Sequence, residues 1–241
     1  TLPDADQSPL RIANFRAYWF SRLSMTLAQY AMMLIIGWQT YNIARDGGMS
    51  IPAASGQLAL IGLFQGRGLN RVIFVSTCSN YGLIKNDELA NEKFELNPLS
   101  LYAKAKVAME RELLGLDGKV DFNPTVLRFA TAFGLAPRMR FDLTVSQFVR
   151  DMCLGEELLV YDAQTWRPYC HVRDFGDLIQ RVLEAPADAV SFEVFNSGGD
   201  VNNFTKQMIV DAILEFMPDA KVFYQEQGTD PRNYRVDFSK I

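Results

Sequence analysis

The chain has 241 residues and a formal net charge of −4, with one histidine and three cysteines. The acidic balance excludes a general nucleic-acid-binding protein, because such proteins carry a basic surface. Cys78, Cys153 and Cys170 are odd in number and lack the spacing of metal ligands, which argues against a disulfide scaffold or a zinc site.

The first 69 residues differ in composition from the rest of the chain. They contain no lysine and no glutamate, and residues 23–44 form an uncharged stretch of 22 residues. A helix of about 20 apolar residues can cross a bilayer, and the arginines before this stretch place its N-terminus on the cytoplasmic side. We therefore expect a helix in the inner membrane. A buried helix of a soluble protein and a signal peptide are the alternatives.

Two runs in this segment carry a family resemblance. SPLRIANFRAYWFSRL (residues 8–23) and SGQLALIGLFQ (residues 55–65) resemble the first helix, and the opening of the second, in a major facilitator superfamily transporter. The resemblance covers about residues 1–65. It implies a fragment that does not transport by itself, because a transporter encloses its site with several further helices.

From Asn70 onwards, predicted strands alternate with predicted helices. Continuous β-branched and aromatic runs indicate buried strands, and apolar residues at helical spacing behind polar residues indicate capped helices. In chain order we expect strands at RVIFVST, TVLRFA, ELLVYD, FEVFNSG and KVFYQ, with helices after Pro98, Asp142, Asp174 and Thr205. This alternation predicts the α/β class with a largely parallel sheet.

The first predicted helix carries two side chains suited to proton transfer. Tyr102 and Lys106 are four residues apart, so one helix face presents both. A lysine ammonium one turn away stabilises a phenolate, so the pair can move a proton. Thr77 ends a predicted strand, where parallel sheets place ligands, and it can bond to the same substrate hydroxyl. The spacing alone does not establish a role in proton transfer, because it also occurs on ordinary solvated helices.

Several further motifs, in the right order, accompany this pair. VIFVSTCSNYG, NPLSLYAKAKVAMERELL, PTVLRFATAFG, GEELLVYDAQTWRPYCHVRD and VFNSGGDVNNFT together resemble the extended short-chain dehydrogenase/reductases, and within them the nucleotide-sugar epimerases and dehydratases. The resemblance covers about residues 70–241. It implies part of a Rossmann-like parallel sheet with a small substrate lobe, NAD or NADP as cofactor, and a nucleotide sugar as substrate.

The resemblance also implies roles for individual residues. Thr77, Tyr102 and Lys106 match the catalytic Ser/Thr, Tyr and Lys, and Tyr102, Lys106 and Phe129 match the positions that meet the nicotinamide end of the cofactor. The implied substrate contacts are Thr131, Arg138, Arg140, Arg167 and Arg232. Arg167 matches the arginine of the pyrophosphate site, a role that suits a forked, permanently charged donor. For each arginine a surface charge is the alternative, and we expect His171 to be structural.

The two positions after Thr77 narrow the expected reaction. The 4,6-dehydratases of this family carry Asp-Glu there, whereas this chain has Cys78 and Ser79. Neither supplies a carboxyl group, so the sequence favours epimerisation or carbonyl reduction over dehydration. A reactive thiol at Cys78 is the alternative to a small buried one.

The Gly-rich loop that holds the cofactor pyrophosphate in this family has no counterpart before Thr77. The nearest candidate, GLFQGRGLNR (residues 62–71), has the wrong spacing and leads into a strand instead of a helix. We therefore interpret the chain as two truncated segments, a transmembrane-like helical one (1–69) and a catalytic one (70–241). On this interpretation NAD binds weakly or not at all.

Three functions remain open from the sequence. The preferred one is an NAD(P)-dependent nucleotide-sugar epimerase or reductase, inactive as a truncated chain. The others are a fragment of a membrane transporter and a membrane-tethered, non-catalytic module that binds sugar nucleotides. Residues 70–241 are expected in the cytoplasm, and a homodimer and membrane contact through residues 23–44 stay open. Neither a nucleic acid nor a metal is expected.

Overall fold

Strands and helices alternate along the part of the chain that the computed structural model describes, residues 64–66, 68–84, 88–228 and 232–241. The strands in this part are β1 (Val72–Thr77), β2 (Leu89–Ala90), β3 (Pro124–Phe129), β4 (Thr131–Phe133), β5 (Leu158–Tyr161), β6 (Trp166–His171), β7 (Glu193–Ser197), β8 (Asn203–Thr205), β9 (Val222–Gln225) and β10 (Arg235–Val236). The helices are α1 (Leu101–Leu114), α2 (Thr144–Cys153), α3 (Val172–Glu184), α4 (Ala187–Val190) and α5 (Lys206–Leu214), with short 3₁₀ helices at Cys78–Tyr81 and Asp200–Asn202.

The central sheet has the strand order β1–β3–β7, and its pairs are parallel. Val126 and Leu127 of β3 are fully buried, as expected for a strand covered on both faces. In register, Thr77 pairs with Phe129, and Phe129 pairs with Ser197. The carboxyl ends of the three strands therefore meet at one edge of the sheet, which is where open α/β sheets bind ligands.

Two long helices pack against this sheet. Helix α1 begins at Ser100, whose hydroxyl accepts a hydrogen bond from the Ala103 N–H at 3.1 Å, and it lies against β1. Helix α3 packs Val182 against Leu127 and Phe195 of the sheet. The Arg71 guanidinium, next to β1, donates to the carbonyls of Val182 and Ala185 and so ties the end of α3 to the sheet.

A smaller lobe is built from α2, α5 and the parallel pair β5–β9. Its core consists of apolar side chains from all four elements, among them Phe148, Met152, Val160, Val210, Ile213 and Val222. Strand β6 connects this lobe with the rest of the described residues, because it pairs in parallel with β4 and antiparallel with β8. Its buried residue Tyr169 packs in the lobe core, whereas the next residue, Cys170, packs in a cluster with Cys78.

The structure confirms the α/β class and the largely parallel pairing, and it corrects some local expectations. Asp142 does not cap α2: the cap position is Leu143, and the Asp142 carboxylate accepts hydrogen bonds from Arg140 instead. Helix α3 begins at Val172, ahead of Asp174, because the His171 side chain accepts the Arg173 N–H and caps the helix there. Strand β6 was not expected from the sequence, since an arginine and a proline interrupt its apolar run.

The predicted membrane-crossing helix, residues 23–44, and most of the transporter-like segment lie outside the described residues. In the described ranges, no helix combines the length and the apolarity that crossing a membrane requires.

Gly82 follows the first 3₁₀ helix and is, among the described glycines, the one where a side chain would disturb the backbone most directly. Its φ is +71°, and a Cβ atom would lie 2.1 Å from the carbonyl oxygen of Asn97. We expect Gly82→Ala to lower the free energy of unfolding by about 2–3 kcal/mol, measured by urea denaturation.

Gly118 offers the matched control. Its φ is +69°, but a Cβ atom there would have no neighbour within 4 Å. Gly118→Ala should therefore carry only the cost of the left-handed backbone, about 1 kcal/mol. Equal losses from the two substitutions would contradict the contact that we assign to Gly82.

Candidate active site

Thr77 lies at the carboxyl end of β1 with its hydroxyl held in place. Its Oγ1 accepts a hydrogen bond from the Ser79 N–H at 3.1 Å, which caps the 3₁₀ helix that follows the strand. This bond uses one lone pair of the oxygen and leaves its O–H available to donate. Thr77 is thus oriented at the sheet edge where a ligand hydroxyl is expected.

Tyr102 and Lys106 lie one turn apart on α1, as the sequence predicts. The Lys106 ammonium donates to the Val75 carbonyl at 2.7 Å. It also lies 4.8 Å from the ring centroid of Phe74 and 5.7 Å from that of Tyr102. The Tyr102 side chain is 58% exposed. The structure therefore holds Lys106 against β1 at Val75, two residues before Thr77. The phenol of Tyr102 is accessible to a substrate.

The two residues that follow Thr77 are uncharged, and both form side-chain hydrogen bonds. Cys78 is buried and its thiol donates to the Arg128 carbonyl at 3.0 Å; burial raises the pKa of this thiol well above its usual range. The Ser79 hydroxyl is 3.2 Å from the hydroxyl of buried Tyr234. Burial raises the pKa of Tyr234 to about 12, so this phenol stays neutral. A reactive Cys78 thiolate is therefore not supported.

Two of the predicted substrate arginines act on the same buried side chain, Tyr234. The positive charges of Arg167, on β6, and Arg232, just before β10, both act on Tyr234, where they partly offset the effect of burial on its pKa. Arg167 is half-buried and Arg232 is exposed. Because Tyr234 bonds to Ser79, the structure places this positive charge beside the segment that carries Thr77.

The other predicted ligand contacts are placed differently. Arg140 forms an exposed ion pair with Asp142, with N–O distances of 2.6 and 2.7 Å, and these hydrogen bonds lower the pKa of Asp142 to about 2. Arg138 is exposed on the same loop, and Thr131 is half-buried at the start of β4. The ring of half-buried Phe129 stacks on that of Phe175, with the ring centroids 3.9 Å apart.

The sequence did not predict the buried charged network that lies next to the segment of Thr77 and Ser79. The carboxylate of Glu110, on α1, accepts hydrogen bonds from Arg128 of β3 at 2.7 and 3.1 Å and from Asn80 at 2.7 Å. It also accepts one from the Ser76 hydroxyl of β1. Glu110 is 1% and Arg128 4% exposed.

The signal for this network was present in the sequence. Ala103, Val107, Glu110 and Leu113 share the buried face of α1, so an acid stands in an apolar stripe. An arginine also stands inside the strand run PTVLRF. Buried charges of opposite sign are normally paired.

The family model described as "NAD dependent epimerase/dehydratase family" matches residues 42–198. This chain belongs to that family. The match begins ahead of residue 70, where the sequence places the family-like segment. Among curated proteins, the UDP-glucose 4-epimerase of Rhizobium leguminosarum bv. trifolii is 24% identical over 169 aligned positions, and the match covers 64% of this chain and 51% of that protein. The chain thus spans about half the length of this relative.

Solved structures of similar fold come from nucleotide-sugar enzymes. UDP-glucuronic acid 4-epimerase from Bacillus cereus, in complex with UDP-glucuronic acid and NAD, matches with a TM-score of 0.65 and 21% identity over 78% of this chain and 59% of that one. The dTDP-glucose 4,6-dehydratase of Bacillus anthracis, in complex with NAD, matches with a TM-score of 0.66 and 22% identity over 85% and 68% of the two chains. At this identity, the likeness shows a shared Rossmann-like fold.

The described residues fit one end of NAD. Lys106 uses one of its three N–H donors on Val75, which leaves two for ribose hydroxyls beside the accessible Tyr102. A pyrophosphate site requires glycines that link a strand to a helix. Gly66 and Gly68 have positive φ but precede β1, so they do not form that loop. Within the described part of the chain, the fit therefore covers the nicotinamide ribose and not the pyrophosphate.

Proposed function

We propose that this chain performs the proton transfer of an NAD-dependent nucleotide-sugar epimerase. The observation that carries the proposal is the position of Lys106, whose ammonium donates to the carbonyl of Val75, two residues before Thr77 on β1, and lies 5.7 Å from the ring centroid of Tyr102. Family membership and the epimerase among the relatives support it.

In the proposed reaction, these three side chains act on one hydroxyl of the sugar. The Tyr102 oxygen, as phenolate, takes the hydroxyl proton while the C–H bond of the same carbon breaks, and the Lys106 ammonium stabilises the phenolate. The Thr77 hydroxyl donates to the sugar oxygen and fixes its position. When bound, NAD (or NADP) supplies the acceptor that takes the hydride from this carbon and returns it.

The absence of an acid at positions 78 and 79 favours epimerisation over dehydration. Elimination of water needs an additional acid and base near the sugar, and Cys78 is buried with a raised thiol pKa. Ser79 is bonded to Tyr234, which is itself neutral. Carbonyl reduction would use the same three side chains, so the identity of the product separates it from epimerisation.

We further propose that Arg167 and Arg232 bind the diphosphate of the substrate. Guanidinium groups form strong, charge-assisted hydrogen bonds with phosphate oxygens. The charges of Arg167 and Arg232 act on Tyr234, and Tyr234 is connected to Thr77 through hydrogen bonds of Ser79. The diphosphate would then lie at the carboxyl edge of the sheet, with the sugar directed toward Tyr102.

Binding of UDP-glucose to the full chain, measured by isothermal titration, tests this assignment. Arg232→Met and Arg167→Met should each weaken binding by about tenfold to a hundredfold, since a hydrogen bond to a charged group is worth about 1.5–3 kcal/mol. Arg111→Met is the matched control, because Arg111 is an exposed arginine at the end of α1. Equal affinities in all four proteins would contradict the diphosphate site.

Product analysis with UDP-glucose and NAD tests the reaction. Formation of the 4-epimer supports the proposal, and a product that has lost water or lost two hydrogens contradicts it. Binding of UDP-glucose without turnover and without uptake of NAD would instead indicate a non-catalytic module that binds sugar nucleotides.

A further inference from the structure

The partners of Glu110 are chain neighbours of residues in the proposed site. Ser76 directly precedes Thr77 on β1, Asn80 directly follows Ser79, and Arg128 directly precedes Phe129 on β3. One carboxylate thus holds a helix, two strands and a 3₁₀ helix together just behind the carboxyl edge of the sheet.

Glu110 is also in phase with the reactive residues of α1. It lies four residues after Lys106 and eight after Tyr102, and a helix rises about 5.4 Å per turn. A helix fixed at Glu110 cannot slide or rotate without moving both side chains. On β1, the Val75 carbonyl accepts a hydrogen bond from the Lys106 ammonium. The next residue, Ser76, bonds to Glu110.

We propose that Glu110 is a positioning residue for Lys106 and Tyr102. Its carboxylate sets the register between α1 and β1, so that the Lys106 ammonium stays on the Val75 carbonyl and within reach of the Tyr102 ring. The role in catalysis rests on the proposed function, whereas the positioning of Lys106 can be measured without turnover.

The network reaches further through Arg128. Its guanidinium also donates to the Tyr81 hydroxyl at 3.0 Å and to the Glu92 carbonyl at 3.1 Å, and the Tyr81 hydroxyl bonds to Asn196 of β7 at 2.6 Å. All three strands of the central sheet are therefore linked to Glu110 by hydrogen bonds. The register of α1 thus depends on all three strands and not on β1 alone.

Lysine acylation of the full chain with acetic anhydride, followed by peptide mass spectrometry, tests the proposal. In Glu110→Gln we expect Lys106 to react about tenfold faster, because its ammonium loses a bond worth about 1 kcal/mol or more. Lys104 on the exposed side of α1 and Lys119 beyond its end should keep their rates. Glu112→Gln, on the same helix but outside the network, should leave the Lys106 rate unchanged.

A purely structural role would give a different pattern. General loosening would accelerate all three lysines together, and an unchanged Lys106 in folded Glu110→Gln protein would equally overturn the proposal. If that variant does not fold, Ser76→Ala carries the test, because it removes the hydrogen bonds of the Ser76 hydroxyl to Glu110 and from Asn80 but no charge. It should accelerate Lys106 by about threefold to tenfold over Lys104, and an unchanged ratio would overturn the proposal.

Turnover provides the second measurement. In 4-epimerisation of UDP-glucose, Glu110→Gln should lower kcat by about 10²-fold with KM unchanged, as expected when reacting groups are displaced by about 1 Å. A rise in KM without a fall in kcat would overturn the catalytic role. If the unmodified chain binds UDP-glucose without turning it over, the proposed function fails, and lysine acylation still decides the positioning of Lys106.

Discussion

Replacing Tyr102 by phenylalanine is expected to lower kcat for 4-epimerisation of UDP-glucose by about 10²–10⁴-fold, the range that general acid–base groups contribute. The substitution removes only the phenolic oxygen, which in our proposal carries the proton. The side chain is largely exposed, so neither the fold nor the affinity for UDP-glucose should change appreciably. Initial rates and isothermal titration on the same preparations separate the two effects.

An exposed tyrosine away from the proposed site serves as the control. Tyr161 ends β5 in the smaller lobe, so Tyr161→Phe should retain the full kcat. If Tyr102→Phe kept more than about a tenth of the kcat, Tyr102 could not be the proton carrier.

Replacing Arg128 by methionine is expected to lower the free energy of unfolding by about 3–5 kcal/mol, because it leaves the buried Glu110 carboxylate without its cation. Burial by itself lowers the pKa of Arg128, but the hydrogen bonds and charge of Glu110, together with the interaction with Tyr81, more than offset this, so the pKa of Arg128 is raised. The guanidinium is therefore charged in the folded protein. Urea denaturation at neutral pH measures the loss.

The exposed ion pair between Arg140 and Asp142 provides the comparison. The two side chains are 59% and 65% exposed, so solvent screens their attraction and Arg140→Met should barely change the urea midpoint. Adding Glu110→Gln to Arg128→Met should recover part of the loss, because it removes the unpaired charge while an amide can still bond to Ser76 and Asn80. A loss of less than about 1 kcal/mol for Arg128→Met would contradict the buried pair.

The sequence predicted the elements with a strong local pattern. Strands β1, β3 and β7 were predicted from runs rich in β-branched and aromatic residues, and helix α1 from apolar residues at helical spacing. Strand β6 was missed, since a charged residue and a proline stand in it and its pairing depends on β4 and β8, which lie far along the chain. The cap at Asp142 was wrong because Arg140, two residues away, binds that carboxylate more directly.

The residues of the proposed site also fall into those that a local sequence pattern predicts and those that depend on distant packing. Thr77, Tyr102 and Lys106 could be predicted, because one lies at a strand end and the others are spaced by one helical turn. The proximity of Arg167 and Arg232 to Ser79 depends on how β6 and β10 pack, and no local pattern encodes it. Glu110 stands out in the sequence as an acid in the apolar stripe of α1, but no local pattern pairs it with Arg128 and Ser76, which lie on separate strands. The two-segment interpretation of the chain, with its boundary at residue 70, stays a prediction.

Strand β6 has a mechanical consequence. Its successive residues Tyr169 and Cys170 point into different hydrophobic interiors, one in the smaller lobe and one beneath the proposed site. A strand that forms a wall of both interiors cannot act as a pivot, because any bend would open a cavity on one side or the other. Any movement of the smaller lobe must then be accommodated by the connecting loops instead of by a bend in β6.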